Sequence, residues 1–202
     1  MGDLRPEARF GMSSRLPIAR THGYGGIEMR VLKAVFVALV LALPVLLAPV
    51  RGRCVSEGEQ APVVTLFGVS GEFINTYDYK NSMPLILSFF YVPCPPCEKE
   101  IPEIQRIQND NPGIKVILIA DRNSDAAKSR EFMKKISDQS GVPISLQIGL
   151  DCYGDTTKLF RVKQHPTTVL IDKKGKVVLR VEGYSEEKAA ALKNAVSSTA
   201  LK

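Results

Sequence analysis

One short motif constrains this chain more than any other feature, the pair of cysteines in Cys94-Pro-Pro-Cys97. The motif directly follows the apolar run Pro84–Tyr91, which has the β-branched and aromatic content of a strand buried on both faces. Isoleucines then recur at helical spacing over Ile101–Ile107, which predicts a helix after the cysteines, bent at Pro102. The pair is therefore expected between the end of a buried strand and the first turn of a helix.

The predicted position at a helix N-terminus affects the reactivity of the two cysteines. Backbone N–H groups and the dipole at a helix N-terminus favour an anion, and the thiolate of Cys94 is the competent nucleophile. Cys97 lies one helical turn further along and is near enough to close a disulfide. A zinc site would need a second ligand pair, but the chain has no other CxxC motif and only two histidines. A structural disulfide would close a four-residue loop and restrain the unfolded chain little, so the setting favours redox chemistry.

The remaining hydrophobic patterns predict alternating strands and helices. Further β-rich runs occur at Val63–Phe67, Glu72–Thr76, Ile114–Ala120, Ile144–Leu150, Thr167–Ile171 and Val177–Val181. Helices are predicted from Ser124 to about Ile136, from Asp155 to Val162, and after Ser185. We therefore predict an α/β sandwich, in which helices flank a mixed central sheet that carries an N-terminal β-hairpin extension.

Charge is distributed unevenly along the 202 residues. The formal net charge is +6, but residues 1–53 contain eight basic and three acidic side chains and therefore carry +5 of that charge. Residues 54–202 are left with +1. Because a folded region with so balanced a charge has no electrostatic footprint for nucleic acid, we predict no nucleic-acid partner.

The basic N-terminal part contains an uncharged apolar segment of 17 residues, Ala34–Val50, which follows Arg30 and Lys33. As a helix this segment would span about 26 Å, slightly less than the hydrocarbon core of a bilayer at about 30 Å. It is therefore either the apolar region of a cleaved signal peptide or an uncleaved membrane anchor. In both cases the basic flank keeps the N-terminus in the cytoplasm, so the rest of the chain is expected in the periplasm or another extracytoplasmic space, anchored to the inner membrane if the leader is retained.

Four segments are expected along the chain. Residues 1–28 contain five glycines and two prolines without a sustained apolar period, so we expect a disordered or untranslated extension, with translation starting at Met29. Residues 29–53 would form the signal peptide or anchor, residues 54–60 a linker and residues 61–202 the folded domain. That last segment is long enough to bury one substantial core.

Three stretches, APVVTLF, LILSFFYVPCPPCEKEIPEI and QHPTTVLIDKKGKV, form a recognisable set together with the hydrophobic leader. On these residues the chain resembles the exported thioredoxin-like thiol–disulfide oxidoreductases of the TlpA/ResA type, which are related to the AhpC/TSA and redoxin proteins. The likeness runs from Ala61 to about Val196, some two thirds of the chain. The CPPC and EIPE residues combined with PTTVLID are specific, whereas the opening strand is not.

The resemblance implies a thioredoxin-like fold for the domain of residues 61–202 and a role for each matching residue. Cys94 would be the exposed thiol that attacks the substrate disulfide, and Cys97 would be the resolving thiol. Pro166 would be a cis-proline facing the disulfide, where His165, Pro166 and Thr167 form the substrate-binding segment. An ordinary trans proline at the start of a strand is the alternative for Pro166 that the sequence leaves open.

Glu100 lies three residues after Cys97. Side chains at this spacing share a helix face, so the carboxyl group could approach the sulfur of Cys97. The family places a functional glutamate here, and such a group would exchange a proton with Cys97 if burial raised its pKa. The alternative is a solvated glutamate on the helix surface, between Lys99 and Glu103.

The chain also departs from the related proteins. Ser88 occupies the strand position at which thioredoxins carry a buried acid, which leaves Glu100 as the acid nearby. Pro93 stands where members of the family usually have tryptophan, and this chain contains no tryptophan. Pro95 and Pro96 lack N–H groups that would stabilise the Cys94 thiolate, which favours a reducing rather than an oxidising protein.

Three further side chains have alternative interpretations. His165 is either an imidazolium that stabilises the Cys94 thiolate or contacts substrate, or an exposed loop histidine. Cys54 and Cys152 either form a second disulfide, or Cys152 is a small buried apolar residue and Cys54 a free thiol. The sequence leaves both questions open.

These observations together predict an extracytoplasmic protein-disulfide reductase that needs no cofactor and no metal. Its expected partners are disulfide-containing extracytoplasmic proteins, a membrane electron donor that re-reduces the cysteine pair, and the membrane itself through residues 34–50 if the leader is retained. The resemblance adds cytochrome c maturation as one known role of the family. The alternative is a copper-binding or copper-delivery module that uses Cys94, Cys97 and His165 as ligands.

Overall fold

The computed structural model describes residues 55–121 and 125–200, together with Lys33 and Phe36. The chain divides into two units between Arg51 and Gly52, and the elements described below belong to the second. The predicted leader, apart from Lys33 and Phe36, lies outside the described residues, as does Cys54. In the described part, no helix is long and apolar enough to cross a membrane.

Seven strands form one mixed sheet in the described part of the chain. They are β1 (Thr65–Gly68), β2 (Phe73–Asn75), β3 (Leu85–Phe90), β4 (Lys115–Ala120), β5 (Gln147–Leu150), β6 (Thr167–Ile171) and β7 (Val177–Glu182). Their spatial order is β2-β1-β5-β4-β3-β6-β7, in which β3, β4 and β5 are parallel and the other pairs are antiparallel. The predicted mixed sheet and the N-terminal hairpin at its edge are therefore confirmed.

Four α-helices accompany the sheet within the described residues. They are α1 (Pro95–Asp110), α2 (Ala126–Ser140), α3 (Asp155–Leu159) and α4 (Glu186–Ala200), and a 3₁₀ turn covers Thr76–Tyr79. Helix α1 continues through Pro102, and the bend predicted there stays a prediction. Helix α3 is shorter than expected, because the chain leaves the helix before Arg161, which has a positive φ of 49°.

The boundaries predicted for α2 are wrong by a few residues. Ser124, the expected N-cap, lies outside the described residues, and the cap is Asp125, whose carboxylate accepts a 2.8 Å hydrogen bond from a backbone N–H of the first turn. The helix continues beyond Ile136 to Ser140. It ends there because Gly141 adopts a left-handed conformation, with a φ of 67°, that favours glycine.

The two faces of the sheet bury different clusters. Helices α1, α2 and α4 cover one face, where Ile86, Phe90 and Leu118 belong to the apolar cluster that includes both cysteines of the motif. The other face buries Leu87 and Phe89 in a second cluster with the hairpin strands and the end of α3. Because side chains alternate along a strand, Ser88 lies on the face that packs against α1.

The three parallel strands end at the same edge of the sheet. Phe90 of β3 pairs in register with Ala120 of β4, and Ala120 pairs with Leu150 of β5. Beside β3, strand β6 begins at Thr167 and aligns Thr168 directly with Ser88. The cysteine motif, the segment after β4 and the segment before β6 are thereby brought to one edge, which is where a doubly covered α/β sheet presents its functional residues.

Candidate active site

The first turn of α1 holds the cysteine pair. Cys94 is the N-cap residue with an extended backbone, and Pro95 and Pro96 fill the first two helical positions, where their missing N–H groups cost no intrahelical hydrogen bond. The N–H of Cys97 is then the first remaining donor of the helix, and it donates to the Cys94 sulfur at 3.2 Å. The two cysteines form a disulfide with a Cα–Cα distance of 5.2 Å, so the predicted pairing is present.

The exposed position expected for Cys94 is wrong for this disulfide-bonded state. Both Cys94 and Cys97 have an exposed fraction of 0% and belong to the apolar cluster beneath the helix. The neighbouring residues Pro93 and Pro95 are exposed, so proline rings and not the sulfur atoms form the surface here. An incoming thiolate therefore reaches the Cys94 sulfur only after the residues around it move.

Glu100 lies in the interior, one turn below the disulfide, with an exposed fraction of 5%. The Ser88 hydroxyl donates to its Oε2 at 3.0 Å, and the Thr168 hydroxyl donates to its Oε1 at 2.9 Å. The two donors stand directly opposite each other on β3 and β6. The solvated alternative for Glu100 is therefore wrong, and the carboxyl group is held from both sides by a cross-strand pair of hydroxyls.

The environment of Glu100 changes its acidity. Burial raises the pKa of Glu100 from 4.5 to about 7, and the hydrogen bonds from Thr168 and Ser88 lower it by less than burial raises it. A carboxyl group with this pKa exists in both protonation states near neutral pH. It can therefore accept or supply a proton under the conditions in which thiol–disulfide exchange takes place.

The segment that precedes β6 contains the predicted cis-proline. The His165–Pro166 peptide bond is cis, as the resemblance implies, and the trans alternative is wrong. The bond between Val92 and Pro93 is also cis, which the sequence did not indicate. Thr167 is fully buried, and its hydroxyl donates to the carbonyl oxygen of Gln164 at 2.8 Å. Substrate contacts by this segment stay a prediction.

His165 is positioned by residues that the sequence did not connect with it. Its Nε2 lies 3.5 Å from Oδ2 of Asp121, the residue that follows β4, and its ring packs edge-on against Tyr91 with the ring centroids 5.2 Å apart. Only 13% of the side chain is exposed, so the exposed-loop interpretation is wrong. Burial lowers the pKa of His165 below 6.5, while the Asp121 carboxylate raises it by a smaller amount.

Asp121 is a residue of this site that no sequence motif singled out. It is the first residue beyond β4, at the edge of the sheet where the cysteine motif also lies, and this position was the one available signal. The Thr157 hydroxyl donates to Asp121 at 3.4 Å and to Asp151, the residue that follows β5, at 2.7 Å. A polar network therefore runs from His165 to the start of α3.

Two other sequence hypotheses concern cysteine pairing and metal binding. Cys152 is an exposed cysteine in the segment after β5, so the buried-apolar interpretation is wrong for it. Its predicted partner Cys54 lies outside the described residues, and their pairing stays untested. Across the described residues, no group of three or more His, Cys, Asp or Glu side chains is placed to hold a metal ion.

Comparison with known sequences gives a consistent result. The model of the AhpC/TSA family matches residues 58–180. Thiol-disulfide oxidoreductase ResA from Bacillus thuringiensis subsp. konkukian is 30% identical over 129 residues, which is 62% of this chain and 69% of ResA. Thioredoxin-like protein YneN from Bacillus subtilis is 29% identical over 121 residues, which is 60% of this chain and 68% of YneN.

Solved structures show the same architecture. A candidate thiol:disulfide interchange protein DsbE from Chlorobium tepidum superimposes with a TM-score of 0.61 and 28% identity, over 72% of this chain and 99% of that one. A candidate protein disulfide isomerase from Bacteroides thetaiotaomicron gives a TM-score of 0.64 and 26% identity, over 73% and 92% of the two chains. The α/β fold described above is therefore thioredoxin-like, as predicted.

Proposed function

The chain belongs to the AhpC/TSA family, and from this premise we propose that it is an extracytoplasmic thiol–disulfide oxidoreductase that reduces disulfides in other proteins. The observation that carries the proposal is the Cys94–Cys97 disulfide at the N-terminus of α1, with a buried carboxyl group of raised pKa on the next turn. The relatives named ResA and DsbE support the same reaction class.

The reaction starts from the reduced pair. The Cys94 thiolate attacks one sulfur of the client disulfide, the client sulfur–sulfur bond breaks, and the second client sulfur leaves as a thiolate. Cys97 then attacks the Cys94 sulfur in the mixed disulfide and releases the first client sulfur. Two electrons pass to the client, which gains two thiols, and the Cys94–Cys97 disulfide forms.

Glu100 contributes to the second step. Cys97 is buried and must lose its proton before it attacks, because the thiolate is the nucleophile. Glu100 lies on the same helix face and has a pKa of about 7, so its carboxylate can take that proton. Ser88 and Thr168 hold the carboxyl group in place, which makes them positioning residues.

We propose that the reduction potential of the Cys94–Cys97 pair lies among those of reducing rather than oxidising thiol–disulfide proteins. Strong oxidants depend on a very stable thiolate, and here Pro95 and Pro96 remove two donors from the helix N-terminus that faces Cys94. A redox titration of the Cys94–Cys97 pair against glutathione is expected to give a potential well below those of the strong oxidants. A value near the most oxidising end of the range contradicts a reductase.

Export and partners follow from the leader and the reaction. The apolar residues 34–50 behind a basic flank support delivery of the oxidoreductase domain to an extracytoplasmic compartment, with attachment to the membrane if the leader is retained. Each catalytic cycle leaves an oxidised pair, so a membrane electron donor must return two electrons to it. Extracytoplasmic proteins with disulfides, among them those of cytochrome c maturation, are the clients we propose.

Substitution of the resolving cysteine tests the function. Cys97→Ser should accumulate a mixed disulfide between Cys94 and its client, which mass spectrometry of non-reduced complexes identifies, whereas Cys94→Ser should accumulate none. The purified reduced protein should also reduce insulin without bound metal. Stoichiometric copper in anaerobically purified protein, together with no insulin reduction, would instead support the copper-binding alternative.

A further inference from the structure

We propose that a basic cleft beside the cis-proline segment binds an acidic stretch of the client next to the client disulfide. The inference rests on the proposed function and adds a substrate preference to it. The cleft has a volume of about 620 Å³, and its lining includes Lys158, Arg161, Lys163 and His165. It therefore begins at the residue that precedes Pro166 and extends along the loop after α3.

Cations dominate this cleft although the surrounding domain is nearly neutral. Residues 54–202 carry a formal charge of only +1. Lys158 is partly compensated, since its Nζ lies 3.0 Å from Asp155. Among the described residues, by contrast, neither Arg161 nor Lys163 has a carboxylate within ion-pair distance. These two side chains supply positive charge that is available to a partner.

The carboxylate of Asp121 also lines the cleft, and its negative charge opposes the binding of an anion. Asp121 lies 3.5 Å from the His165 imidazole and accepts a hydrogen bond from Thr157 at 3.4 Å. It is thus engaged at the inner end of the cleft, and only 15% of its side chain is exposed. Burial lowers the pKa of His165, so the attraction for an anion at neutral pH comes from Arg161 and Lys163.

The backbone of the loop places Arg161 at the cleft in an unusual conformation. Its φ of 49° lies in the left-handed region, which favours glycine over residues with a side chain. The conformation is held from both sides, because the Arg161 N–H donates to the Lys158 carbonyl at 3.0 Å and the Arg180 guanidinium donates to the Arg161 carbonyl at 3.3 Å. A bulky cation in a strained position at the edge of a site is consistent with a functional constraint.

The experiment compares three synthetic peptides of equal length that contain the same disulfide. The disulfide is flanked by four aspartates, four serines or four lysines. The full-length protein is reduced, freed of reductant and mixed with each peptide, and the second-order rate constant of disulfide transfer is measured. We expect the acidic peptide to react about three- to tenfold faster than the neutral one, and the basic peptide to react more slowly than both.

Added salt and matched variants test whether the preference for the acidic peptide comes from the charges of the cleft. The preference should fall towards unity at 0.5 M NaCl and in the Arg161→Gln/Lys163→Gln variant. Lys174→Gln/Lys176→Gln removes two exposed lysines from the β6–β7 turn, at the other end of the sheet, and should keep the preference. Equal rates for the three peptides in the unmodified protein, or a preference that survives in the Arg161/Lys163 variant, overturn the cleft proposal alone. Failure to reduce any of the peptides contradicts the proposed function itself.

Discussion

Two regions of the domain bury a titratable side chain in different ways. In the inner site, formed by Ser88, Glu100 and Thr168, both carboxyl oxygens accept hydrogen bonds from hydroxyl groups of adjacent strands. In the outer site, formed by Tyr91, Asp121 and His165, the imidazole Nε2 has no hydrogen-bond partner among the described residues, and Asp121 lies at ion-pair distance. Both carboxyl oxygens of Glu100 therefore have a hydrogen-bond donor, whereas Nε2 of His165 has no hydrogen-bond partner among the described residues.

The two regions also show that burial shifts the pKa of an acid and the pKa of a base in opposite directions. Burial is the largest effect on both groups, and it raises the pKa of Glu100 and lowers the pKa of His165. Each shift favours the neutral form, because burial penalises charge. The hydrogen bonds or the neighbouring carboxylate oppose burial in both sites without overcoming it.

The largest expected effect concerns stability at the inner site. Because Glu100 binds its proton more tightly in the folded state, its contribution to stability is fully present below pH 4.5 and is lost as the pH rises through about 7. The free energy of unfolding of Glu100→Gln should therefore rise relative to that of the unmodified protein by about 3 kcal/mol between pH 4.5 and pH 8. Urea denaturation across this pH range measures the difference.

A neighbouring glutamate provides the control for this measurement. Glu103 lies on the same helix with 44% of its side chain exposed, so Glu103→Gln should retain the pH dependence of the unmodified protein. If Glu100→Gln and Glu103→Gln show the same pH dependence, Glu100 is not destabilised by burial, and the contrast between the two sites disappears.

The inner site is only partly predictable from the sequence. The spacing between Cys97 and Glu100 was sufficient to place the carboxyl group on the relevant helix face. That spacing could not decide burial, because this depends on how strands β3 and β6 pair. Ser88 and Thr168 are 80 residues apart in the chain, and no sequence pattern connects them. Only the antiparallel pairing of β3 with β6 aligns their hydroxyl groups.

The outer site was harder to predict for the same reason. His165 and Asp121 follow different strands, and the strand order β4-β3-β6 brings their segments to one edge of the sheet. Local patterns did predict the strands themselves, and the bounds of β6 agree with the structure. Helix ends were less predictable, as the cap at Asp125 shows, since one residue of difference leaves the hydrophobic pattern almost unchanged.

A smaller effect should come from the hydroxyl donors of the inner site. Ser88→Ala removes the hydrogen bond to one oxygen, and Thr168→Val removes the bond to the other. Each donor favours the charged carboxylate, so either substitution should raise the pKa of Glu100 further and destabilise the protein by about 1–2 kcal/mol at pH 9. The cost should be smaller at pH 5, where Glu100 is protonated.

Comparison of the two pH values separates this effect from a loss of packing. Ser82→Ala removes an exposed hydroxyl that donates to the Tyr79 carbonyl at 2.9 Å and not to Glu100, so any effect should be the same at both pH values. A destabilisation of Ser88→Ala that is identical at pH 5 and pH 9 would show that its hydroxyl does not act on the charge of Glu100.

The smallest expected effect concerns the outer site. Asp121→Asn removes the carboxylate that raises the pKa of His165, so that pKa should fall further below 6.5. A folded-state pKa below the unfolded value means that stability is present above pH 6.5 and is lost as the pH falls, and the variant should lose under about 1 kcal/mol more than the unmodified protein. Proton NMR titration of the histidine resonances measures the pKa, and His165→Gln identifies the relevant signal. An unchanged or higher pKa in Asp121→Asn would show that Asp121 does not act on His165.

The central claim is that the buried Glu100 carboxylate accepts the proton of Cys97, and the pH dependence of Cys97 reactivity tests it most directly. In a protein that carries Cys54→Ser, Cys94→Ser and Cys152→Ser, Cys97 is the one remaining thiol, and its reaction with a small alkylating reagent is followed by mass spectrometry between pH 5 and pH 10. The account predicts that Glu100→Gln in this background displaces the rate profile and removes the inflection near pH 7. Identical profiles with and without the Glu100 carboxyl group would contradict it.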